Sequence, residues 1–206
     1  GDLVCGTCQK ILTPIVNPVC PRCGRPQASS ILCPTCVTWT PSFECIRSPL
    51  RFEGLTRQII HQFKYKNLRA LAEPLGLILQ NFLQHTPLPV EVVVPVPLHP
   101  RRLKERGYNQ SSLLAKEISR RMNLSMLDDE VKRVKYVIPQ AQTRSLSERH
   151  GNVKGAFICE RFSSPGRPVL LIDDVATSGA TLDACSEVLK QAGSGPVYAL
   201  ALAREI

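Results

Sequence analysis

Residues 169–182 read Val-Leu-Leu-Ile-Asp-Asp-Val-Ala-Thr-Ser-Gly-Ala-Thr-Leu. The first four are apolar, the pattern of a strand buried on both faces of a parallel sheet. Two adjacent carboxylates, Asp173 and Asp174, are expected at the strand's carboxyl end, facing solvent. The small, hydroxyl-rich stretch Ala176, Thr177, Ser178, Gly179, Ala180, Thr181 then predicts a loop opening an apolar-periodic helix through Leu182, Val188 and Leu189. A turn from strand to helix presents free backbone N–H groups and the positive end of a helix dipole, which suit a phosphate. Thr177, Ser178 and Thr181 add hydroxyl donors, and Gly179 lets the backbone come close. The two carboxylates, acceptors only when ionised, suit paired sugar hydroxyls. Phosphate at one end and a diol at the other describe a ribose-5-phosphate site.

The rest of the chain is consistent with one ordinary domain and a small appendage, at 206 residues and 43% hydrophobic content. No apolar run reaches transmembrane length: the longest, residues 71–83, is interrupted by Glu73, Pro74, Gln80 and Asn81. No basic-then-apolar leader opens the chain, so a cytoplasmic protein without membrane insertion is expected. The first residues are Gly1-Asp2 rather than Met, and further sequence upstream is expected. The net charge of +9 is uneven. Arg101, Arg102, Lys104 and Arg106 crowd one segment; Lys132, Arg133, Lys135, Arg144, Arg149 and Lys154 crowd another. Pyrophosphate, nucleotides and nucleic acid are the natural partners of such segments.

Six of the nine cysteines form three Cys-x-x-Cys pairs: Cys5/Cys8, Cys20/Cys23 and Cys33/Cys36. In a cytosolic chain this spacing points to metal rather than disulfides. Two such knuckles hold one Zn²⁺ in a closed tetrahedral site, which is structural because no position stays open for water. Gly24 directly after Cys23 favours Cys20, Cys23, Cys33 and Cys36 as the ribbon, with Cys5/Cys8 a half-site of another. The other pairing, Cys5/Cys8 with Cys20/Cys23, stays open. Cys45, Cys159 and Cys185 have no partner spacing and are expected as buried thiols. The ribbon is assigned to residues 1–45 and an α/β domain to residues 46–206.

Within that domain a short strand is expected over 48–53 and a helix over 54–84, broken near Asn67 or Pro74. Lys64-Tyr65-Lys66 lies at the break, where it could reach a ligand. Residues 90–96 predict a second buried strand, running through Pro97, Leu98 and His99 into a basic loop. A helix over 111–122 and strands over 131–137 and 197–203 complete the pattern. Residues 139–151 form a long polar loop with Gln142 and Arg149, and Asn152 follows it; loops of that length are commonly functional lids.

The stretch 169–182 resembles the phosphoribosyl-pyrophosphate (PRPP) motif of type I phosphoribosyltransferases. A narrower resemblance spans nearly the whole chain. The paired cysteines, Pro95-Val-Pro-Leu98, Arg106-Gly-Tyr-Asn-Gln110, the Gln142…Arg149…Asn152-Val-x-Gly-Ala-Phe157 stretch and the Asp-Asp motif occur in the order of the ComF family. That family is phosphoribosyltransferase-like and is associated with natural competence, the uptake of DNA. Ser178 stands where many of its members have Thr, keeping the hydroxyl.

The resemblance implies an α/β fold of the type I phosphoribosyltransferase kind, with a mainly parallel sheet and an amino-terminal zinc ribbon. It implies that Asp173 and Asp174 hold ribose hydroxyls, that residues 176–181 cradle the 5-phosphate, and that Pro97, Leu98 and His99 form the pyrophosphate loop. Mg²⁺ would accompany PRPP, Arg106 would neutralise the leaving group, and Gln142, Arg149 and Asn152 would belong to the lid. Two functions follow. One is transfer of phosphoribosyl to an unidentified nitrogen acceptor. The other is a PRPP or nucleotide sensor that binds single-stranded DNA or a partner in the DNA-uptake machinery. Against the first, no residue set can be assigned to a base; against the second, one Trp and four Tyr are few for base stacking.

Overall fold

In a computed structural model of the chain, which describes residues 3–136 and 153–206, the buried apolar runs become strands of one parallel sheet. In chain order the strands are β1 (Cys45–Arg47), β2 (Leu50–Arg51), β3 (Val92–Pro95), β4 (Ser125–Met126), β5 (Lys132–Arg133), β6 (Phe157–Ile158), β7 (Val169–Ala176) and β8 (Val197–Arg204). The sheet runs β1-β8-β7-β3-β4, with β2 also pairing with β8, while β5 and β6 form a separate antiparallel pair. The helices are α1 (Gly6–Ile11), α2 (Pro34–Thr38), α3 (Gly54–Tyr65), α4 (Ala72–His85), α5 (Pro100–Arg106), α6 (Gln110–Met122) and α7 (Ala180–Gln191).

Successive strand side chains point to opposite faces, so each continuous apolar run feeds two cores. Val93, Leu170, Ile172 and Leu200 pack against Phe63 of α3, Leu79 of α4 and Leu114 of α6. Val92, Val94, Leu171 and Ala199 pack on the other face against Leu182, Cys185 and Leu189 of α7. The crossover from β3 to β4 therefore uses one face, through α6, and the crossover from β7 to β8 uses the other, through α7. β3 and β7 are neighbours, with Pro95 beside Ile172. Their chains leave in opposite directions, and ligands of open α/β sheets bind at such a switch point.

Several elements differ from expectation. The break expected in the long helix does fall at Asn67, whose φ of 54° is left-handed, while Pro74 sits in the first turn of α4, where its missing N–H costs nothing. The basic stretch expected as a loop is largely the helix α5, started by Pro100 and capped by His99. The expected strand over 131–137 shrinks to β5, and that over 48–53 to β2, with β1 added ahead of it. β7 runs on to Ala176, so Asp173 and Asp174 lie inside the strand and the turn is only residues 177–179. Cys45 and Cys185 are buried as expected, but Cys159 is only half-buried. The expected lid, with Gln142 and Arg149, and Asn152 lie outside the described residues.

Candidate functional site

A cleft of about 270 Å³ opens beyond the carboxyl ends of β3 and β7. Pro97 and Leu98 line it from β3; Asp173, Asp174, Thr177 and Thr181 line it from β7 and α7. Arg106 and Arg102 of α5 and Lys64 of α3 close it from the side, and Arg133 of β5 joins them. Of the residues expected at the site, Asp173, Asp174, Thr177, Thr181, Pro97, Leu98 and Arg106 thus share one cleft.

The carboxylates do not face solvent. Asp173 is 8% exposed and Asp174 3%, on a stretch of β7 that stays paired with β8 as far as Ala176 after β3 has ended opposite Ile172. The Asp173 carboxylate accepts from the Ser111 hydroxyl at 3.0 Å and from the Asp174 backbone N–H at 2.8 Å. Burial, and then the neighbouring Asp174 charge, push the Asp173 carboxyl up to about 7, although Lys64 and these hydrogen bonds pull the other way. Asp174 meets the Lys64 ammonium at 2.6 Å. Burial would lower the Lys64 pKa, but the Asp174 and Asp173 charges outweigh it and the pKa is raised.

The remaining expected residues serve the turn rather than line the cleft. Ser178 is buried, and its hydroxyl accepts from the Ala180 N–H at 3.3 Å. Ala176 and Ala180 are buried, and Gly179 caps α7 with φ 89°. The N–H groups of Thr181 and Leu182, in the first turn of α7, have no partner within the helix. His99 caps α5, its Nδ1 accepting from the Arg101 N–H at 3.2 Å, and lines a neighbouring pocket of about 580 Å³ instead. The Arg106 guanidinium lies over the Tyr65 ring, 5.1 Å from its centroid, and donates to the Gln110 side chain. Lys64 was visible in the sequence only as part of a basic tripeptide, Arg133 as one cation among many, and Ser111 not at all.

At the amino-terminal end, the sulfurs of Cys20, Cys23, Cys33 and Cys36 all lie within 4.8 Å of one another and are buried. A Zn–S bond of about 2.3 Å sets tetrahedral sulfurs roughly 3.8 Å apart, and Cys23 Sγ lies 3.7 Å from Cys33 Sγ. The Cys33 N–H donates to Cys20 Sγ at 3.4 Å. Burial raises the Cys20 thiol, yet N–H groups of Cys23, Cys33 and Arg22 bring it down to about 6. Beside the cluster Arg204 is 1% exposed, with Nε and Nη1 lacking a hydrogen-bond partner. A dianionic zinc–tetrathiolate is the counter-charge that such a guanidinium fits. Cys5 and Cys8 stand apart, their sulfurs 3.4 Å from each other.

The double zinc ribbon domain matches residues 1–37. Competence protein F of Haemophilus influenzae is 32% identical over 98% of this chain and 90% of its own length. This chain belongs to the ComF family. Competence protein ComFC of Bacillus subtilis, of the same family by name, is 30% identical over 93% of the chain and 80% of its own length. The DNA utilization protein YhgH of Escherichia coli is 29% identical over 98% of the chain and 91% of its own length. Solved structures superpose loosely. An allosteric regulatory enzyme of purine biosynthesis gives a TM-score of 0.43 at 19% identity, covering 64% of this chain and 25% of that one. Adenine phosphoribosyltransferase of Saccharomyces cerevisiae gives 0.37 at 14%, covering 74% and 69%.

Proposed function

We propose that the cleft binds PRPP and that this ComF protein transfers its phosphoribosyl group to a nitrogen nucleophile. The observation that carries the reading is the convergence of two carboxylates, two threonine hydroxyls and four cations on one cleft at the crossover switch. Asp173 and Asp174 hold the ribose hydroxyls. Thr177, Thr181 and the first-turn N–H groups of α7 take the 5-phosphate. Lys64 pairs with Asp174 until the ribose hydroxyls take its place as hydrogen-bond donors; its ammonium then turns to the pyrophosphate oxygens beside Arg102 and Arg106. Pro97 and Leu98 shape the wall along which pyrophosphate lies.

In the reaction the bond between the anomeric carbon and pyrophosphate breaks, its electron pair leaving with pyrophosphate. A bond forms to the nitrogen, which gives up a proton. Positive charge develops on the sugar ring, so positioning and charge stabilisation are what the protein supplies. Asp173, its pKa raised by burial and by the Asp174 charge, accepts a hydrogen bond from a ribose hydroxyl.

Mg²⁺ fits the donor set: Asp173 and Asp174 are the acidic side chains lining the cleft among the described residues, and Mg²⁺ takes one or two carboxylates plus substrate phosphates. Bound there it supplies a template and a Lewis acid for the pyrophosphate. No helix among the described residues is long and apolar enough to cross a membrane, and a cytoplasmic location is part of the proposal.

A second reading, a PRPP or nucleotide sensor that holds single-stranded DNA or a DNA-uptake partner, is supported by relatives named for competence and DNA utilization and by the cations of α5. Calorimetric titration of PRPP with Mg²⁺ tests the shared part. Binding to the wild type that is lost in a folded Asp174→Asn variant is the expected result, and no binding to the wild type would overturn it. Pyrophosphate release on adding nitrogen acceptors then separates transfer from sensing.

A further inference from the structure

The two residues whose side chains lie beside Gly179 are both held, through their backbones, by one residue of the zinc ribbon. A Cβ built on Gly179 would lie 3.0 Å from Trp39 Cη2 and 3.1 Å from Ile46 Cδ1, so these two side chains set how far the 177–179 turn can move. Arg22, inside the knuckle Cys20-Pro-Arg-Cys23, grips both. Its carbonyl accepts from the Ile46 N–H at 2.8 Å. Its guanidinium donates to the Trp39 carbonyl at 2.7 Å and to the Cys36 carbonyl at 2.5 Å. Gly24, with φ 70°, follows the same knuckle, and any Cβ there would collide with the Ile46 carbonyl. Trp39 packs against the cysteine cluster on one side and against the core around α7 on the other. Three residues on, the Ser42 N–H donates to Asp183 of α7 at 2.6 Å.

We propose that Trp39 is a positioning residue that transmits zinc occupancy of the ribbon to the 177–179 turn. With the four cysteines tied to one ion, Arg22 is fixed relative to Cys36, and Trp39 and Ile46 clamp the turn in the shape that presents its N–H groups. Without the ion the knuckles separate, the clamp loosens, and the turn must be ordered by its ligand. Zinc and a phosphate-bearing ligand therefore strengthen each other's binding, and the coupling is reciprocal. The ligand half of this statement rests on the phosphoribosyl reading; the clamp does not.

The test is amide hydrogen exchange of residues 176–182 in the full chain: zinc-loaded, chelated, and in Trp39→Ala loaded with zinc. Chelation is expected to speed exchange in this segment about fivefold or more. Trp39→Ala is expected to do the same while keeping its zinc, with β3 and β8 unchanged and Trp39→Phe restoring slow exchange. Trp39 is the chain's only tryptophan, so its fluorescence follows the same contact. Wild-type exchange in zinc-loaded Trp39→Ala would overturn the proposal, and this arm decides even if chelation unfolds the chain. In the wild type, PRPP with Mg²⁺ should raise the zinc affinity measured by chelator competition by the factor by which zinc raises the affinity for PRPP, and in Trp39→Ala it should not. PRPP that fails to bind the zinc-loaded wild type would overturn the phosphoribosyl reading alone, since the exchange arm needs no ligand.

Discussion

Lys64, near the end of α3, reaches across the cleft to Asp174 in the middle strand of the sheet and meets its carboxylate at 2.6 Å. The side chains are 21% and 4% exposed. Removing either partner strands a largely buried charge, which costs more than the intact pair is worth. Asp174→Asn and Lys64→Met are each expected to destabilise the fold by about 2 kcal/mol. The double variant should lose less than the sum, since neither charge is then left alone. Urea denaturation of the four proteins measures this. Additive losses would show that the pair contributes nothing, and Asp174 would be the solvent-facing carboxylate that its sequence position suggests.

Asp173 gives a pH dependence of definite sign. Its folded-state pKa of about 7 stands above the 3.8 of an ordinary aspartate. The unfolded state releases the proton first, so ionisation of Asp173 does not weaken folding below about pH 4. It costs progressively more as pH rises to 7, and the full cost applies above that. Asp173→Asn, which keeps an acceptor for Ser111, should therefore stabilise the protein at pH 8 by on the order of 2–4 kcal/mol, a gain that fades toward pH 4. Stability measured across pH 4–8 for both proteins checks the slope. A constant difference would mean that Asp173 is ionised throughout.

What could be read in advance divides along the range of the interaction concerned. The β7–turn–α7 unit was legible because its signals are local: an apolar run, two acids, small hydroxyl residues and a glycine within fourteen consecutive positions of the chain. Spacing made a zinc knuckle pair legible but left two pairings, and Gly24 after Cys23 favoured the one whose four sulfurs converge. Lys64 was noted only within a tripeptide that could reach a ligand, and Ser111 and Arg133 were given no site role, because what brings all three to Asp173 and Asp174 is the sheet order, which is a property of three crossovers. The burial of both carboxylates was misread for a related reason. Alternation marks which face of a strand a residue takes, but not how far the strand continues between its neighbours. The apolar contact of Trp39 with Gly179 leaves no pattern in the sequence at all.

The cysteines separate two kinds of knuckle. Cys20, Cys23, Cys33 and Cys36 converge, while Cys5 and Cys8 offer two sulfurs and no more among the described residues. Cys23→Ser should abolish zinc binding at the cluster and leave Arg204 buried without the zinc–tetrathiolate that supplies its counter-charge. Cys5→Ser should leave the cluster's zinc in place. Metal analysis of the purified variants, with a chromogenic chelator as a second readout, distinguishes them. Zinc lost from Cys5→Ser would mean that the ion is held by the other knuckle pairing, since both pairings use Cys20 and Cys23.

Gly179 carries two constraints at once, and they can be separated by experiment. Its φ of 89° is one that side chains rarely adopt, and an added Cβ would press on Trp39 at 3.0 Å. Gly179→Ala is therefore expected to destabilise by about 1–3 kcal/mol, from backbone strain and overpacking together. Combining it with Trp39→Ala removes the overpacking against Trp39 and leaves the strain and the 3.1 Å approach to Ile46 Cδ1. If the contact matters, Gly179→Ala should cost less in the Trp39→Ala background than in the wild type. Thermal unfolding of the four combinations gives the coupling directly. An equal cost in both backgrounds would assign the effect to the backbone and Ile46, with no force passing between Trp39 and the turn.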